Sequence, residues 1–141
     1  MIRQAHAQWK GDLKQGKGTM AFGSGAFEGQ FSFKSRFDDG VGTNPEELIG
    51  AAHAGCFSMA FSNMLSQAGH VPTSVRTVAR VHLEPVDGKQ TINLIELMCE
   101  AEVPGIDSET FHRIAGEAKA GCPVSRALAA IDIRLEASLV G

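Results

Sequence analysis

Residues 44–68 read NPEELIGAAHAGCFSMAFSNMLSQA, and this stretch decides the fold. Its first residues carry the signals of a helix start, because Asn44 can cap the first turn and Pro45 suits the first helical position. The acidic pair at 46–47 lies where the helix dipole favours negative charge. Gly69 follows as a signal for the helix end. We therefore predict one long helix across this stretch.

The predicted helix is apolar on nearly every face. From Leu48 to Ala68 its residues are small or apolar around most of the circumference, which is typical of a buried helix. A chain of 141 residues can rarely bury a helix of that length on all sides by itself. We therefore expect a second copy of the chain to supply the other wall, in a homodimer with a large apolar interface.

Short β-like runs precede the helix and a hairpin follows it. The runs Thr19–Phe22 and Gln30–Phe37 flank a glycine-containing turn, which predicts a small antiparallel sheet. Residues 74–85 and 89–103 carry alternating and β-branched side chains on either side of Asp87-Gly88, a favoured two-residue turn. This pattern predicts a β-hairpin.

Two further helix starts and one strand complete the prediction. Asp107 can cap a short helix that runs to about residue 120, and Cys122 precedes Pro123, which is a second start signal. Residues 131–139 alternate apolar and polar side chains, as a half-buried strand does. Strands, a long helix, a hairpin, short helices and a final strand predict an α+β fold rather than a βαβ repeat.

Composition argues against several classes of function. The chain has 13 basic and 16 acidic side chains and a net charge of −3, without a run of like charges, so a nucleic-acid or anionic membrane surface is not expected. Three cysteines are too few, and odd in number, for a secreted disulfide framework. Neither a signal-peptide pattern nor a membrane-length run of roughly 18 apolar residues is evident. We expect a single cytoplasmic domain over residues 1–141.

Two of the cysteines lie in sequences that can activate a thiol. Cys122 stands at a helix cap directly before Pro123, where unpaired backbone N–H groups favour the thiolate. Cys56 lies about three turns inside the long helix and needs another group to lower its pKa. Arg36, among phenylalanines just before the helix, is the most plausible, because arginine stays charged at any working pH. Cys99, in a predicted strand, is interpreted as a core residue.

His53, three residues before Cys56, leaves two interpretations open. It can tune the thiol or satisfy a buried hydrogen bond, and the second is commoner. The spacing also allows half of a metal site, but no CxxC motif or second Cys/His cluster completes it. We therefore predict neither a metal nor a cofactor.

The two cysteine motifs together resemble those of one protein family. The run from Thr43 to Ala60 and the segment Gly121-Cys122-Pro123-Val124-Ser125 are similar to the motifs of the OsmC/Ohr family of thiol-dependent hydroperoxide reductases. They resemble the branch of osmotically inducible protein C more closely than the organic hydroperoxide resistance branch. Residues 103–107 also fit, so the resemblance covers nearly the whole chain.

The resemblance implies a fold and a reaction. The OsmC-like fold places antiparallel sheets around a long buried central helix, in an intertwined homodimer with two sites at the interface. Cys56 matches the peroxidatic cysteine, whose thiolate attacks a hydroperoxide, releases an alcohol and becomes a sulfenic acid. Cys122 matches the resolving cysteine, which forms a disulfide with Cys56. External dithiols of the lipoyl type then regenerate the thiols.

The resemblance also gives roles to Glu46 and Arg36, which fit the family's carboxylate and the arginine of the OsmC branch. On one straight helix, Glu46 and Cys56 would stand about 15 Å apart. Either a bend at Gly50 and Gly55 brings them together, or the residues come from different subunits. Our hypothesis is that Arg36 holds the Cys56 thiolate and the peroxide, while Glu46 fixes the arginine in a bidentate pair.

The aromatic composition favours an apolar substrate. Eight Phe and no Tyr suit alkyl, aryl or lipid hydroperoxides better than hydrogen peroxide, although phenylalanine is also an ordinary core residue. The predicted function is the reduction of organic hydroperoxides in defence against oxidative or osmotic stress. Two alternatives remain: a noncatalytic protein that binds apolar ligands in a dimeric cavity, and a redox sensor that forms the same disulfide.

Overall fold

The computed structural model describes all 141 residues, in two compact units. Unit 1 comprises Met1–Leu48 and unit 2 comprises Ile49–Gly141, and one long helix begins in the first and continues in the second. The prediction of a single domain over residues 1–141 stays a prediction. In chain order the elements are β1 (Ala5–Lys10), β2 (Lys17–Phe22), β3 (Glu28–Phe31), α1 (Phe33–Phe37), α2 (Pro45–Gln67), β4 (Ser74–Val86), β5 (Lys89–Glu102), α3 (Ser108–Gly121), α4 (Pro123–Ala127) and β6 (Asp132–Val140).

Unit 1 contains a three-stranded antiparallel sheet in the order β1-β2-β3. The predicted small antiparallel sheet is therefore confirmed, and β1 is an additional strand that the sequence patterns did not show. All six residues of β1 are exposed. On the sheet, the rings of Trp9 and Phe31 pack with their centroids 5.2 Å apart.

The end of β3 differs from the prediction of a strand over Gln30–Phe37. The strand ends at Phe31, and the residues from Phe33 onward form the short helix α1. Ser32 caps this helix, because its hydroxyl accepts from the N–H of Ser35 while the Ser35 hydroxyl accepts from the N–H of Ser32. This reciprocal capping box satisfies two backbone donors that a strand would leave to a neighbour. The strand prediction is wrong beyond Phe31 for that reason.

The long helix predicted from the sequence is confirmed as α2. Asn44 caps it, since its Oδ1 accepts from the N–H of Glu47 at 2.8 Å. Gly69 follows the last turn with φ of +91°, a left-handed conformation that glycine adopts without steric cost. Both signals at the two ends of the helix therefore act as predicted.

Unit 2 contains a mixed three-stranded sheet in the order β4-β5-β6. The predicted hairpin is confirmed, and its turn has positive φ at both Asp87 (52°) and Gly88 (76°). The predicted final strand is also confirmed, but β6 pairs parallel to β5. This pair departs from the expectation of antiparallel sheets. The chain returns from β5 through α3 and α4, and a long crossover of that kind allows parallel pairing.

The core of unit 2 lies between one face of α2, the inner face of β5 and helix α3. The Phe61 ring packs against Phe57 and Phe111, with centroid distances of 5.6 Å and 5.4 Å. Cys99 is 2% exposed in this core, so its interpretation as a core residue is confirmed. The other core side chains include Leu65, Ile95, Leu97, Ala101, Ile114, Ala115 and Ala118.

The other face of α2 is exposed within one chain. Ala51, Ala52 and Gly55 are exposed there, and the Met59 side chain is 77% exposed. The prediction of a helix buried on all sides is therefore not met by a single copy, because the sheet of unit 2 covers only one face. The side chains on this exposed face are small or apolar.

Helix α2 is also long and apolar enough to cross a membrane, by length and composition alone. This finding differs from the expectation that no segment reaches membrane length. The helix meets this criterion because alanines such as Ala54 and larger apolar residues such as Ile49 and Phe57 raise its mean hydropathy, while few charges lower it. One face of the helix packs in the core of unit 2, as the core helix of a folded domain does.

Candidate functional site

The two predicted active cysteines meet in unit 2. Cys56 lies on α2, and Cys122 stands at the N-terminal cap of α4. Cys122 lies close enough to Cys56 to raise the pKa of its thiol, and both are free thiols. The fold thus brings together two sulfur atoms that are far apart in sequence.

Helix α4 begins beside both sulfurs. The Sγ of Cys122 accepts from the N–H of Ser125 at 3.3 Å, as expected for a capping side chain. The backbone of Val124 lies close enough to Cys56 to lower the pKa of its thiol. Pro123, between the cap and these residues, has no N–H to offer. The first turn of α4 thus lies beside both sulfurs, and backbone amides near a sulfur favour its thiolate form.

The electrostatics of Cys56 oppose its ionisation within unit 2. Burial is the largest effect and raises the pKa of the Cys56 thiol, and contact with Cys122 raises it as well, whereas the Val124 amide lowers it. None of these groups is positively charged. A reactive nucleophile needs the thiolate, so activation of Cys56 requires a group beyond these three.

A buried histidine and a serine extend the thiol cluster. The Nε2 of His53 lies 2.7 Å from the Oγ of Ser125, and the thiol of Cys122 donates to the same Oγ at 3.1 Å. His53 therefore has the buried hydrogen bond of the commoner interpretation, and burial lowers its pKa. Ser125 was not predicted from the sequence as part of this cluster. Its position, three residues after the cap Cys122, is the signal that could have identified it.

The predicted arginine and carboxylate meet in unit 1. The Nη2 of Arg36 donates to the Oε1 of Glu46 at 2.8 Å, and Nε donates to Oε1 and Oε2 at 3.2 Å and 3.3 Å. The two side chains are 36% and 10% exposed, so the carboxylate is shielded while the guanidinium still reaches solvent. This is the arrangement in which a carboxylate orients an arginine.

Local hydrogen bonds hold this ion pair in place. The hydroxyl of Ser35 donates to the carbonyl oxygen of Thr43 at 2.7 Å, and the side-chain amide of Asn44 donates to the carbonyl oxygen of Ser35 at 3.0 Å. These bonds tie α1 to the start of α2. Arg36 and Glu46 lie one and two residues beyond the tied positions. The guanidinium also packs over the ring of Phe37, 5.3 Å from its centroid.

The histidine and cysteine side chains do not assemble a metal centre. No group of three or more His, Cys, Asp or Glu side chains that could hold a metal ion is found in the structure. The Nε2 of His53 is engaged by Ser125 rather than directed to a shared ligand position. The half-site considered for His53 and Cys56 is therefore not completed.

Comparison with known proteins gives the family. Residues 37–136 match the OsmC family, described as OsmC-like protein. The chain is 52% identical to peroxiredoxin OsmC of Escherichia coli strain K12 over 138 residues. This match covers 97% of this chain and 96% of that protein. The chain belongs to the OsmC family. The matched range includes Glu46, Cys56 and Cys122 and begins one residue after Arg36.

Solved structures confirm the OsmC-like α+β fold. An OsmC-like protein of unknown function from Vibrio cholerae matches with a TM-score of 0.78 at 16% identity, over 98% of this chain and 99% of that chain. The organic hydroperoxide resistance protein OhrB of Bacillus subtilis matches with a TM-score of 0.72 at 21% identity, over 96% of this chain and 98% of that chain. At such low identities the likeness shows the fold alone.

Proposed function

We propose that this OsmC-family protein is a thiol-dependent peroxidase that reduces organic hydroperoxides to alcohols. The observation that carries the proposal is the contact between the free thiols of Cys56 and Cys122 at the first turn of α4. The relative at 52% identity is named a peroxiredoxin, which supports the reaction class. The likeness in fold to a protein named for organic hydroperoxide resistance agrees with it.

In the proposed cycle, the Cys56 thiolate attacks the O–O bond of the hydroperoxide. The alcohol leaves, and Cys56 becomes a sulfenic acid. The sulfur of Cys122 then attacks the sulfur of Cys56, so that an S–S bond forms and water leaves. The proximity of the two cysteines supports this second step, because the resolving thiol is held in the same cluster as the sulfur it attacks.

A dithiol of the lipoyl type closes the proposed cycle by thiol–disulfide exchange. Exposure indicates which sulfur it attacks. Cys56 is half-buried, whereas Cys122 is only 1% exposed, so an external thiolate reaches Cys56 more readily. Exchange at Cys56 releases Cys122 first, and the second thiol of the reductant then frees Cys56.

We further propose that the protein acts as a homodimer in which Arg36 and Glu46 of one copy serve Cys56 of the other. Burial and Cys122 raise the pKa of Cys56, and the groups that shift it include no cation, although the reaction needs its thiolate. Helix geometry separates positions 46 and 56 by about 15 Å. The exposed apolar face of α2 around Met59 supplies the kind of surface that a second copy would cover.

The surroundings of Arg36 support an apolar substrate. The rings of Phe33 and Phe37 pack 5.0 Å apart beside it, and Phe37 is 38% exposed. An alkyl or aryl group could lie against this pair while the guanidinium holds the peroxide oxygens. The number of phenylalanines alone carries less weight, because Phe57, Phe61 and Phe111 belong to the core.

We also propose that the protein acts in the cytoplasm, in defence against oxidative or osmotic stress. Its support is the number of cysteines, since three are too few, and odd in number, for a disulfide framework of a secreted protein. Reduced thiols of this kind persist where thiol-reducing systems operate.

The function is tested by steady-state reduction of cumene hydroperoxide and of hydrogen peroxide with dihydrolipoamide as the reductant. Cys56→Ser should abolish turnover, and Cys122→Ser should slow it and leave a sulfenic acid that dimedone traps. Cys99→Ser is the matched control, because Cys99 is a buried thiol in the core, and it should turn over like the wild type.

Two results would contradict the proposal. If the wild type is as slow as Cys56→Ser on both peroxides, the cysteines are structural, and binding of an apolar ligand becomes the function to test. If peroxide forms the disulfide quickly but dihydrolipoamide does not reverse it, the protein is a redox sensor. Faster turnover of hydrogen peroxide than of cumene hydroperoxide would contradict the proposed substrate class alone.

A further inference from the structure

We propose that His53 is a positioning residue for the resolving cysteine, acting through the hydroxyl of Ser125 to take up the proton that Cys122 must lose. The inference rests on the proposed peroxidase function, in which Cys122 attacks the sulfenic acid of Cys56. It gives a role to two buried polar side chains that the cycle described above leaves unused.

The first observation is the burial of the resolving thiol. Cys122 is 1% exposed, Ser125 is 5% exposed and His53 is completely buried. The thiol proton of Cys122 therefore has no direct path to bulk water. A proton acceptor within the protein is required if the sulfur is to attack as a thiolate.

The second observation is a continuous chain of hydrogen bonds that leads from that thiol to an imidazole. Cys122 Sγ donates to Ser125 Oγ at 3.1 Å, and Ser125 Oγ lies 2.7 Å from His53 Nε2. The backbone N–H of Ser125 also donates to Cys122 Sγ at 3.3 Å. Ser125 thus contacts the reacting sulfur directly, and His53 acts on it through Ser125.

The third observation is that the other nitrogen of His53 has no partner. Its Nδ1 is buried and makes no hydrogen bond. Leaving a polar nitrogen unpaired in a core is unfavourable, and an apolar side chain would fill the volume without that cost. A histidine that served only to satisfy buried groups would be expected to use both nitrogens. The contact with Ser125 is therefore the one polar interaction that His53 contributes.

The proposed step balances in atoms and electrons. The thiol proton of Cys122 passes to Ser125 Oγ while the hydroxyl proton of Ser125 passes to His53 Nε2. The Cys122 sulfur forms a bond to the Cys56 sulfur, and the S–O bond of the sulfenic acid breaks. The leaving hydroxide takes up one proton and departs as water, and His53 later releases its proton. Cys122 is oxidised and Cys56 is reduced to the same extent.

The imidazole is suited to this brief role. Burial lowers the pKa of His53, so the ring is neutral at rest and can offer a lone pair to the Ser125 hydroxyl. The same burial makes the protonated ring unfavourable, so the proton is not retained after the disulfide has formed.

A single-turnover experiment separates the two chemical steps. The reduced protein receives one equivalent of cumene hydroperoxide without reductant, and the release of alcohol and the formation of disulfide are followed separately. In Ser125→Ala and His53→Gln we expect alcohol release to stay within about twofold, while disulfide formation slows about tenfold or more. Dimedone should then trap the Cys56 sulfenic acid that accumulates.

Two further variants provide the controls. Ser58→Ala removes a hydroxyl from α2 instead of α4, one that lies 2.7 Å from Thr77 Oγ1, and should leave both steps unchanged. Ser125→Thr keeps a hydroxyl and should restore disulfide formation. Because Ser125 and His53 act as one unit, the double variant should be no slower than the slower single variant. Should His53→Gln fail to fold, Ser125→Ala against Ser125→Thr still decides the question.

Three results would overturn the proposal. The first is disulfide formation within about twofold of the wild type in both single variants. The second is an equal slowing of both steps together with a loss of thermal stability, which indicates damaged packing. The third is a double variant whose rate loss is the product of the two single losses, which indicates independent roles.

Oxidation by diamide distinguishes failure of this inference from failure of the proposed function. Diamide converts two thiols to a disulfide and is itself reduced to a hydrazine, so no peroxide is needed. If the wild type does not reduce peroxides but Ser125→Ala slows the diamide reaction, the role of His53 stands while the peroxidase function fails. Equal diamide rates in all variants would overturn the role of His53 in either case.

Discussion

The two polar clusters of this protein are built in opposite ways. In unit 1, Arg36 and Glu46 carry full charges, and the guanidinium side chain is 36% exposed. In unit 2, the cluster around Cys122 is buried, and its groups are linked by hydrogen bonds between uncharged side chains. The first keeps its charge where water can still solvate it, and the second keeps its sulfur away from water.

The difference shows which part of the chain determines each cluster. The ion pair depends on bonds between neighbours in sequence, such as that from Ser35 to Thr43. The thiol cluster depends on α2 and α4 packing together, because His53 and Ser125 are 72 positions apart. We infer that the core around the thiol cluster contributes most to the free energy of unfolding. The Arg36–Glu46 pair contributes little to it and, in the proposed function, supplies the charge for catalysis.

The largest expected effect tests the stability half of this comparison. Phe61→Ala removes a completely buried ring and should lower the free energy of unfolding by about 3–5 kcal/mol. Arg36→Ala breaks a partly exposed ion pair and should cost only about 0–1 kcal/mol. Urea unfolding at one fixed protein concentration measures both. Equal losses in the two variants would show that the comparison is wrong.

The next effect tests the catalytic half. Arg36→Ala should slow the reduction of cumene hydroperoxide by about 10²–10³-fold, as loss of a preorganised charge does at other active sites. It should also raise the pKa of the Cys56 thiol, measured from the pH dependence of alkylation by iodoacetamide. Arg36→Lys keeps the charge but not the bidentate pair with Glu46, so its rate should lie between those of the wild type and Arg36→Ala. An unchanged thiol pKa and rate would remove Arg36 from the mechanism.

Mixing two inactive variants tests whether the two clusters meet across subunits, and the expected change is a partial recovery of activity. Arg36→Ala and Cys56→Ser chains are mixed, unfolded and refolded together. If the site is shared, half of the dimers are mixed and each has one intact site, so about a quarter of wild-type activity should return. If each chain builds its own site, every site in the mixture lacks one residue. Activity that stays at the level of the separate variants would therefore contradict the shared site.

Much of the fold could be predicted because its signals are local. Asn44, Asp107 and Cys122 each cap the helix that follows, as their positions before a helix indicate. The turn at Asp87-Gly88 needs positive φ at two residues, which that dipeptide favours. The same capping argument placed Cys122 at the start of α4, so part of the site followed from sequence alone.

The failures of prediction have non-local or competing causes. The spacing of Phe31 and Phe33 resembles a strand, but the paired serines at 32 and 35 favour a helix start. The parallel pairing of β6 depends on where a crossover returns the chain, which no local pattern records. The contact between Ser125 and His53 was missed because the two residues are 72 positions apart. No local pattern records which face of α2 a single chain leaves exposed.

The smallest expected effect concerns His53, the group that the buried cluster must keep neutral. Burial lowers its pKa below the ordinary 6.5, so the unfolded chain takes up a proton first as the pH falls. Stability that is present above pH 6.5 is therefore lost as the pH falls toward the pKa of the folded state, by at most about 0.7 kcal/mol between pH 7 and 6. His53→Gln should remove this part of the pH dependence, measured by urea unfolding at the two pH values. His6→Gln, at an exposed position of β1, should leave it in place. If His53→Gln changes nothing, the imidazole takes up protons equally in both states and is not held neutral, and Ser125 then has no resting base to which its proton can pass.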